Sequence, residues 1–409
     1  MAERRRMTPY VSCAPDRLYP PAGSIDAPEA VADLRAAGAA AAVLEELYPA
    51  WRYDWPMPET LHLHDVPAPP AMRLRFSRSG TGHAPAVLLV RLDQAVLLRN
   101  VLYIGELGRR RVIYESHRPE ERALSGALEP EVAAEDFPTG TGPCLYVGNQ
   151  GSFNYGHWLC EDLPRLSALD VLRARYPGER ITLLLPRQDW HNNRMRERSV
   201  RLWLGDARDV VLRFIDPETA YGFPQLHWVT PIRHLGLAKS PDALARLDAV
   251  LRSRVGGLRS AALGPRLAAL LHGRRRLRLF VDRNRLRQRE LLNRAAILPL
   301  LRTRGFTIVD TERMEVADQV ALFAAAEAVV GIKGAGLVNT VFSPPGTPVV
   351  HLAPETFQDP YYRDIAAARA QPYHVLYGTA APGERRDHLR DFTIAPDDLA
   401  AVLDQLRLR

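Results

Sequence analysis

Cysteine, lysine and long apolar runs are scarce in this chain of 409 residues. Its three cysteines, Cys13, Cys144 and Cys160, have no CxxC spacing, which excludes a four-cysteine zinc site and a disulfide framework and favours a reducing compartment. No stretch reaches about 18 uninterrupted apolar residues, the length that a membrane-spanning helix needs. The basic start MAERRR has no apolar run behind it, so we expect a cytoplasmic protein.

Positive charge is in excess, but nearly all of it comes from arginine. Lys+Arg total 54 against 47 Asp+Glu, a net charge of +7, and Lys239 and Lys333 are the two lysines. This charge is compatible with a nucleic-acid-binding protein, which we keep as an alternative, and with peripheral association with an anionic inner membrane. The dense run RRRLR from Arg274 leads into an apolar strand, which favours a solvated edge, so we expect no nucleic-acid partner. In so arginine-rich a chain, a lysine indicates that a compact ammonium or a shiftable pKa matters.

The sequence pattern of the first third of the chain predicts an N-terminal extension that precedes the main α/β fold. Residues 1–80 are rich in proline, and an alanine-rich segment from Pro28 to Leu47 predicts a helix. Short β-rich runs between Ala86 and Ser116 predict a small meander. We therefore expect an N-terminal arm, helix and β-meander over residues 1–137.

Strands and helices then alternate in two series. The first predicts strands at 145–147, 181–185 and 210–215, with helices at 166–176 and 194–204. After a charged helix near 242–259, the second predicts strands at 277–281, 306–309, 328–332 and 348–352, with helices at 289–304, 316–327 and from 337. This alternation predicts α/β architecture with two Rossmann-like doubly wound domains facing a cleft, at residues 138–264 and 265–380. A C-terminal helix within residues 381–409 is expected to pack back on an earlier domain.

The segment that begins at Gly148 carries the first candidate site, at the carboxyl end of a predicted strand. If it is helical, His157 and Glu161 share one face, and Asp162 and Arg165 lie on the adjacent stripe. An imidazole, two carboxylates and a guanidinium within about two turns are typical of acid–base chemistry. The structural alternative is that Asp162 caps a helix and His157 satisfies a local backbone group.

A second candidate site lies where a buried strand runs through glycines into a helix, in the order Lys333, Gly334, Ala335, Gly336, Leu337, Val338 and Asn339. Glycines let backbone N–H groups approach a ligand, and a helix amino end favours an anionic phosphate. Asn339 stands where a dinucleotide fingerprint needs its third glycine, and His351 ends the next strand in place of an acidic ribose ligand. This excludes a simple dehydrogenase and leaves a tight turn without a ligand as the alternative.

A third motif, from Asp282 to Arg289, again directly follows a predicted strand, and Asn293 lies beyond it. Arg283 and Arg289 could clamp a diphosphate through bidentate hydrogen bonds, although a solvated loop is the alternative in this arginine-rich chain. The sequence contains no Walker loop, HExxH, GxSxG, EF-hand or DxD pattern.

Together these motifs resemble glycosyltransferase family 61, including its bacterial capsular-polysaccharide type. The resemblance runs from about Leu145 to Leu352 and rests on an ordered set of residues. The set comprises HWL from His157, DLPRL from Asp162, Arg283 with the Arg289 to Asn293 spacing, Gln319, the GAGLVN run, Phe342 and the PGT of residues 345–347. It implies a GT-B-like pair of Rossmann domains and an inverting transfer from a nucleotide sugar, in surface polysaccharide biosynthesis.

An inverting transfer needs a base on the acceptor hydroxyl and groups that stabilise the leaving diphosphate, and the titratable and cationic residues of the motifs predict both. An N-terminal domain would present a glycan or glycolipid acceptor, with Asp162 as the catalytic base and His157 or Glu161 as its competitors. A C-terminal domain would hold the donor through Arg283, Arg289, Asn293, Gln319, Lys333, Gly334, Ala335, Gly336 and Asn339. With cations balancing the diphosphate, we expect neither a metal nor another cofactor.

The chain departs from the family pattern at two positions. Lys333 replaces a usual histidine, and His351 replaces a usual glutamate. These departures favour a second alternative, a non-catalytic scaffold of polysaccharide assembly.

Overall fold

The computed structural model describes most of the chain. The described residues are 10–13, 32–33, 41–55, 60–63, 80–117, 128–129, 131–138, 140, 142–149, 151–233, 238–256, 276–283, 288–357, 359, 361–383 and 385–408. The chain forms two compact units: unit 1 is Met1–Trp51 with His83–Ala243, and unit 2 is Arg52–Gly82 with Leu244–Arg409.

The described residues form strands and helices in a mixed α/β arrangement. The strands are β1 Tyr10–Ser12, β2 Ala32–Asp33, β3 Ala41–Tyr48, β4 Trp51–Trp55, β5 Thr60–Leu63, β6 Gly80–Ala84, β7 Val87–Leu98, β8 Val101–Ile104, β9 Arg111–Ile113, β10 Glu135–Asp136, β11 Cys144–Tyr146, β12 Ile181–Pro186, β13 Val210–Ile215, β14 Tyr221–Val229, β15 Leu277–Val281, β16 Phe306–Val309, β17 Ala326–Ile332, β18 Val349–Pro354, β19 Tyr373–Ala380 and β20 Phe392–Thr393. The α-helices are α1 Tyr155–His157, α2 Ala168–Arg175, α3 Trp190–Leu204, α4 Pro241–Gly256, α5 Arg294–Thr303, α6 Val316–Ala324, α7 Tyr361–Ala368 and α8 Pro396–Gln405. Within the described residues, no helix is long and apolar enough to cross a bilayer.

The large sheet of unit 1 has the order β13-β12-β11-β14-β7-β8-β9-β1-β2, with β3 added to β7 and β10 to β14. Strands β11 to β14 are parallel, and β7 runs antiparallel to β14. The chain goes from β11 outward to β12 and β13 on one side, and later to β14 on the other. The strand order therefore reverses between β11 and β14, the position at which open α/β sheets bind ligands.

The predicted meander is part of this sheet instead of a separate extension. β14 pairs with β7 along its length, with Phe223 opposite Ala95 and Trp228 opposite Val90. Side chains of both strands share one buried core with those of β11 and β12, including Leu88, Val90, Tyr146, Leu184 and Trp228. The meander strands thus extend the parallel sheet beyond β14.

The predicted helix from Pro28 to Leu47 is wrong where the structure describes it. Most of residues 28–40 lies outside the described residues, whereas Ala41–Tyr48 is strand β3. β3 pairs antiparallel with the first half of β7, so its backbone groups are satisfied by the sheet. The Tyr48 hydroxyl also donates to the Pro164 carbonyl at 2.8 Å. Sheet pairing and burial here override the helix propensity of alanine.

Unit 2 is built on the order β16-β15-β17-β18-β19-β20, with β5 also paired to β19. All these pairs are parallel except β19 with β20. Counted along the chain from β15, the first five strands have the doubly wound order 2-1-3-4-5, which reverses between β15 and β17. The carboxyl ends of β15 and β17 carry Asp282 and Lys333, so two of the predicted motifs meet at the reversal.

The C-terminal helix packs on unit 2 itself. Leu399, Val402 and Leu403 of α8 are buried in the same core as Phe280 of β15 and Ile297 of α5. Unit 2 therefore runs to the end of the chain, and the boundary after unit 1 falls at Ala243 instead of residue 264.

Candidate active site

In unit 1 the predicted helix after β11 is a composite of three helical geometries. α1 is followed by a π turn, Trp158–Asp162, and a 3-10 segment, Leu163–Ser167, before α2 begins. Pro164 has no backbone N–H, so a regular α-helical ladder cannot continue through it. Single π turns inside helices are frequent at functional sites.

Asp162 and Arg165 form a completely buried ion pair in this segment. Arg165 Nη1 lies 3.1 Å from Asp162 Oδ1. The same guanidinium donates to the carbonyls of Gly148, at 3.1 Å, and Val229. These carbonyls follow β11 and end β14, so Arg165 ties together the two strands between which the order reverses.

Both carboxylate oxygens of Asp162 have further partners in the loop after β11. Asn149 Nδ2 donates to Oδ1 and Ser152 Oγ donates to Oδ2, each at 2.7 Å. Burial raises the pKa of Asp162, while the Arg165 charge and the Ser152 hydroxyl act in the opposite direction. The structure thus surrounds this predicted base with protein donors.

His157 and Glu161 form a second pair, which reaches the surface. His157 Nδ1 lies 3.0 Å from Glu161 Oε1, with 31% of the histidine side chain exposed and 6% of the glutamate. Burial alone would raise the pKa of Glu161, but the charges of His157, Arg233 and Lys239 outweigh it and lower that pKa. Glu161 therefore stays ionised beside the imidazole. In the tautomer that donates from Nδ1 to Glu161, the acceptor nitrogen of the ring is Nε2.

In unit 2 three cations gather at the carboxyl ends of β15 and β17; we call Arg283, Arg289 and Lys333 the cation cluster. Arg283 Nη1 donates to the Lys333 carbonyl at 3.4 Å. A Cβ on Gly334 would overlap Arg283 Nη1, so this glycine makes room for the guanidinium. Gly334 precedes a 3-10 helix, Ala335–Phe342, so the first turn of this helix lies just beyond Lys333 in the chain.

An aromatic ring joins two members of the cation cluster. The Arg289 guanidinium lies 4.7 Å and Lys333 Nζ 4.6 Å from the centre of the Phe357 ring. Lys333 is completely buried, donates to the Asp359 carbonyl and lies 5.8 Å from the Tyr362 ring centre. Phe357 thus holds two like charges near one another.

Burial and mutual repulsion lower the pKa values of these cations. Burial and the Arg289 charge lower the pKa of Lys333 to about 8, although Asp359 acts in the opposite direction. Burial and Arg283 lower the pKa of Arg289 to about 10. Arg289 also has a backbone φ of 61°, a left-handed conformation that is uncommon for side chains of this size. Among the described residues, its Nε has no hydrogen-bond partner.

Three other predicted donor residues brace the backbone. Gln319 accepts a hydrogen bond from Asn339 at 2.6 Å and donates to the Met314 carbonyl at 3.1 Å. Asn293 donates to the Ile394 carbonyl at 2.6 Å and accepts from the Ile394 N–H at 3.1 Å. These amides therefore support the edge on which the cation cluster lies.

The turn after Lys333 is also closely packed. Asn339 donates to the Gly336 carbonyl at 2.9 Å. A Cβ on Gly336 would overlap the Thr311 hydroxyl, so this second glycine is required by packing. Ala335 and Gly336 are half-buried at the start of the 3-10 helix.

His351 is buried among aromatic side chains. Its Nδ1 lies 3.2 Å from the Tyr373 hydroxyl, and its ring packs against Tyr362 with centres 4.6 Å apart. Burial, assisted by the Lys333 charge, lowers the pKa of His351 well below its ordinary value. A neutral histidine beside Lys333 adds no third positive charge at that end of the cluster.

Sequence reasoning missed several residues of both sites. Arg233 follows β14, and its Nη1 lies 3.7 Å from Glu161 Oε1. Phe357, Asp359 and Tyr362 follow β18. Arg294, beyond the third motif, is the ion-pair partner of Asp282. The strand-end rule that selected the other motifs could have found the residues after β18, but β14 was not recognised as a strand.

No group of three or more His, Cys, Asp or Glu within the described ranges is arranged to hold a metal ion.

One family model matches the central part of the chain. The family model for glycosyltransferase 61 matches residues 155–350, which include His157, Asp162 and the cation cluster. This match supports the family assignment and a glycosyltransferase activity. The comparison with curated proteins found no match.

Two solved structures of the E. coli heptosyltransferase WaaC are similar to part of the chain. One is with ADP-2-deoxy-2-fluoro heptose and the other with ADP. Each is 12% identical and covers 64% of this chain and 99% of the other, with TM-scores of 0.27 and 0.26 respectively.

Proposed function

We propose that this protein is an inverting glycosyltransferase that moves a hexosyl or pentosyl group from a nucleotide sugar to a hydroxyl of a glycan or glycoconjugate. The observation that carries the proposal is the cation cluster, Arg283, Arg289 and Lys333, beside the glycines of unit 2. The match to glycosyltransferase 61 over residues 155–350 supports glycosyl transfer.

The cation cluster suits a diphosphate. Three adjacent positive charges, two of them with pKa values lowered mainly by burial, are held at a free-energy cost that an anion would relieve. Arg283 and Arg289 supply planar donors for phosphate oxygens, and Lys333 supplies a compact charge. The backbone amides after Gly334 add uncharged donors.

We propose that this set stabilises the leaving diphosphate without a metal ion or another cofactor. Turnover should then persist after dialysis against EDTA. Loss of turnover that returns with Mg²⁺ or Mn²⁺ would contradict this part of the proposal.

We place the base on His157, one of the three residues predicted from the sequence. Asp162 is completely buried and its oxygens accept from Asn149, Ser152 and Arg165, whereas His157 is partly exposed. In the proposed step Nε2 takes the acceptor hydroxyl proton, the acceptor oxygen bonds to the sugar C1 and the C1–phosphate oxygen bond breaks. Ionised Glu161 orients the ring and stabilises the imidazolium that forms.

The biological setting is part of the same proposal. We infer surface polysaccharide biosynthesis of the bacterial capsular type, with a glycan or glycolipid acceptor. A cytoplasmic location and peripheral association with the inner membrane remain predictions.

Calorimetry with UDP, GDP, ADP and CDP tests the donor site. At least one of these nucleotides should bind. Gly334→Ala should weaken the binding of that nucleotide about tenfold, because the new Cβ displaces Arg283 and its charge-assisted hydrogen bonds. Gly256→Ala is the matched control, since a Cβ there has no neighbour within 4 Å.

Three outcomes would contradict the proposal. If none of the four nucleotides binds, the nucleotide-sugar function is wrong. Nucleotide binding without turnover on any nucleotide-sugar panel favours the scaffold alternative. Salt-dependent binding of unrelated oligonucleotides, without binding of mononucleotides, favours a nucleic-acid-binding protein.

A further inference from the structure

Three tryptophan or phenylalanine side chains are strongly exposed within the described residues: Trp51 at 40%, Phe153 at 50% and Trp190 at 63%. Trp51 donates its indole N–H to Asp242 at 2.7 Å. Phe153 and Trp190 instead follow β11 and β12, which are neighbouring parallel strands. Both aromatic rings therefore lie at the carboxyl edge of the unit 1 sheet, where ligands bind in this fold class.

The same edge carries the proposed base. Phe153 lies four residues before His157, in the loop that leads into α1. Trp190 begins α3, which packs on the helical segment of His157, because Trp158 Nε1 donates to Ser199 Oγ at 2.8 Å. An acceptor whose hydroxyl reaches His157 thus has two exposed aromatic rings at the same edge, one in a loop and one at the start of a helix.

The surroundings of Trp190 suit a sugar ring better than a lipid surface. The Arg194 guanidinium lies over one face of the indole, 5.1 Å from the ring centre, and the His191 ring meets the indole edge to face with ring centres 5.0 Å apart, so a sugar would stack on the other indole face. An aromatic face attracts the positively polarised C–H groups of a sugar, while the neighbouring donors can bond its hydroxyls. A membrane-inserting helix needs a continuous apolar face, whereas His191 and Arg194 are exposed and polar.

We propose that Phe153 and Trp190 form an acceptor subsite, in which the terminal sugar ring of a carbohydrate acceptor stacks on Trp190 and extends across the edge toward His157. This inference rests on the proposed function, because it takes His157 as the base. It narrows the acceptor class to one whose reactive hydroxyl belongs to, or adjoins, a pyranose ring with an apolar face.

Saturation-transfer NMR on the intact protein tests the subsite without activity. The probes are methyl α- and β-glycosides of glucose, galactose, mannose, xylose and N-acetylglucosamine, and disaccharides of the same sugars. At least one should receive saturation on the C–H groups of one ring face. Trp190→Ala should weaken its binding about two- to tenfold, the range of a single aromatic contact, and Phe153→Ala should have a smaller effect.

The control is Trp51→Ala, which removes an exposed tryptophan elsewhere in unit 1 and should leave the glycoside signal unchanged. Equal loss in all three variants, or no saturation of any probe by the wild-type protein, overturns the proposal. Sedimentation with phosphatidylglycerol vesicles that depends on Trp190, without a glycoside signal, assigns the surface to lipid instead. Nucleotide calorimetry is independent, so failure of the donor site and failure of this subsite give different results.

Discussion

The charged residues of the two candidate sites, one in each unit, differ in how they are balanced. In unit 1 the buried Arg165 faces Asp162, and His157 faces Glu161, so opposite charges lie within hydrogen-bonding distance. In unit 2 the cation cluster brings like charges together around Phe357, and burial leaves Lys333 with a lowered pKa. Each of these two pairs in unit 1 contains its own counter-charge, whereas the cation cluster of unit 2 consists of like charges, which we propose an anion balances. The proposed base and acceptor subsite thus lie in unit 1, and the proposed diphosphate site lies in unit 2.

The difference also separates stabilising residues from functional ones. A paired buried charge destabilises the fold when its partner is removed. A buried cation among cations should do the opposite, because its removal relieves repulsion and desolvation. Substitutions that test the comparison can therefore be ranked by the expected size of their effects on turnover, stability or nucleotide affinity.

The largest effect is expected at His157. His157→Gln removes the proposed proton acceptor on the exposed side of unit 1, so turnover should fall by about 10²–10⁴-fold with nucleotide affinity unchanged. Steady-state kinetics with the nucleotide sugar, together with calorimetry, measures both quantities. Glu161→Gln should lower turnover less, since the ring remains but loses its orienting charge. Full activity of His157→Gln would remove this residue from the mechanism.

Asp162→Asn tests the contribution of the buried Asp162–Arg165 ion pair to the stability of unit 1. The substitution leaves the buried Arg165 without a counter-charge, which should lower the free energy of unfolding by about 3–5 kcal/mol. Urea unfolding at pH 7 measures this change. Unchanged stability with turnover reduced as far as in the His157 variant would instead identify Asp162 as the base, as first predicted from the sequence.

Lys333→Met should separate binding from stability in unit 2. It removes a cation that the diphosphate needs, so nucleotide affinity should fall more than tenfold. A shift in pKa from 10.5 to about 8 corresponds to roughly 3 kcal/mol of cost for holding the charge at neutral pH, part of which the variant should regain as thermal stability. Differential scanning calorimetry without nucleotide shows whether Lys333→Met raises or lowers the melting temperature. A destabilised variant would show that the Lys333 contact with the Asp359 carbonyl outweighs the relief of repulsion.

Much of this comparison was accessible from the sequence, and the rest depended on tertiary contacts. Strands β13, β15 and β16 have the predicted bounds because short apolar runs between helices leave few other assignments. β3 was predicted as a helix because its alanines gave no indication of the open edge of β7. β14 was missed because it contains Pro224 and exposed polar positions. Without β14, the partners of Arg165 and the position of Arg233 could not be inferred.

The site residues divide in the same way. Strand-end position alone identified Arg283, Arg289 and Lys333, which the structure gathers at one edge. It could not distinguish a residue that faces a ligand from one that braces the backbone, as Asn293 and Gln319 do. Hydrogen-bond partners from distant segments decide that difference, and a single sequence does not contain them.

The smallest expected effect is the pH dependence of the cation cluster. With a pKa of about 8, Lys333 goes from about nine-tenths protonated at pH 7 to about one-tenth at pH 9. The nucleotide phosphates are already ionised over this range, so the change in affinity comes from the loss of the Lys333 charge. The affinity of the nucleotide for the wild-type protein should therefore fall about tenfold from pH 7 to pH 9, whereas its affinity for Lys333→Met should not change in this way.

Stability should change in the opposite direction over a related range. Between about pH 8 and 10.5 the unfolded chain still binds the Lys333 proton that the folded, nucleotide-free protein has lost, so unfolding takes up a proton. The contribution of this group to the free energy of unfolding therefore rises with pH, relative to Lys333→Met, while nucleotide affinity falls. Calorimetric titrations and thermal unfolding at pH 7, 8 and 9 measure both quantities. Affinity and stability that fall together above pH 8 would show that Lys333 stabilises the fold as a charged group, and the contrast between the two units would then be wrong.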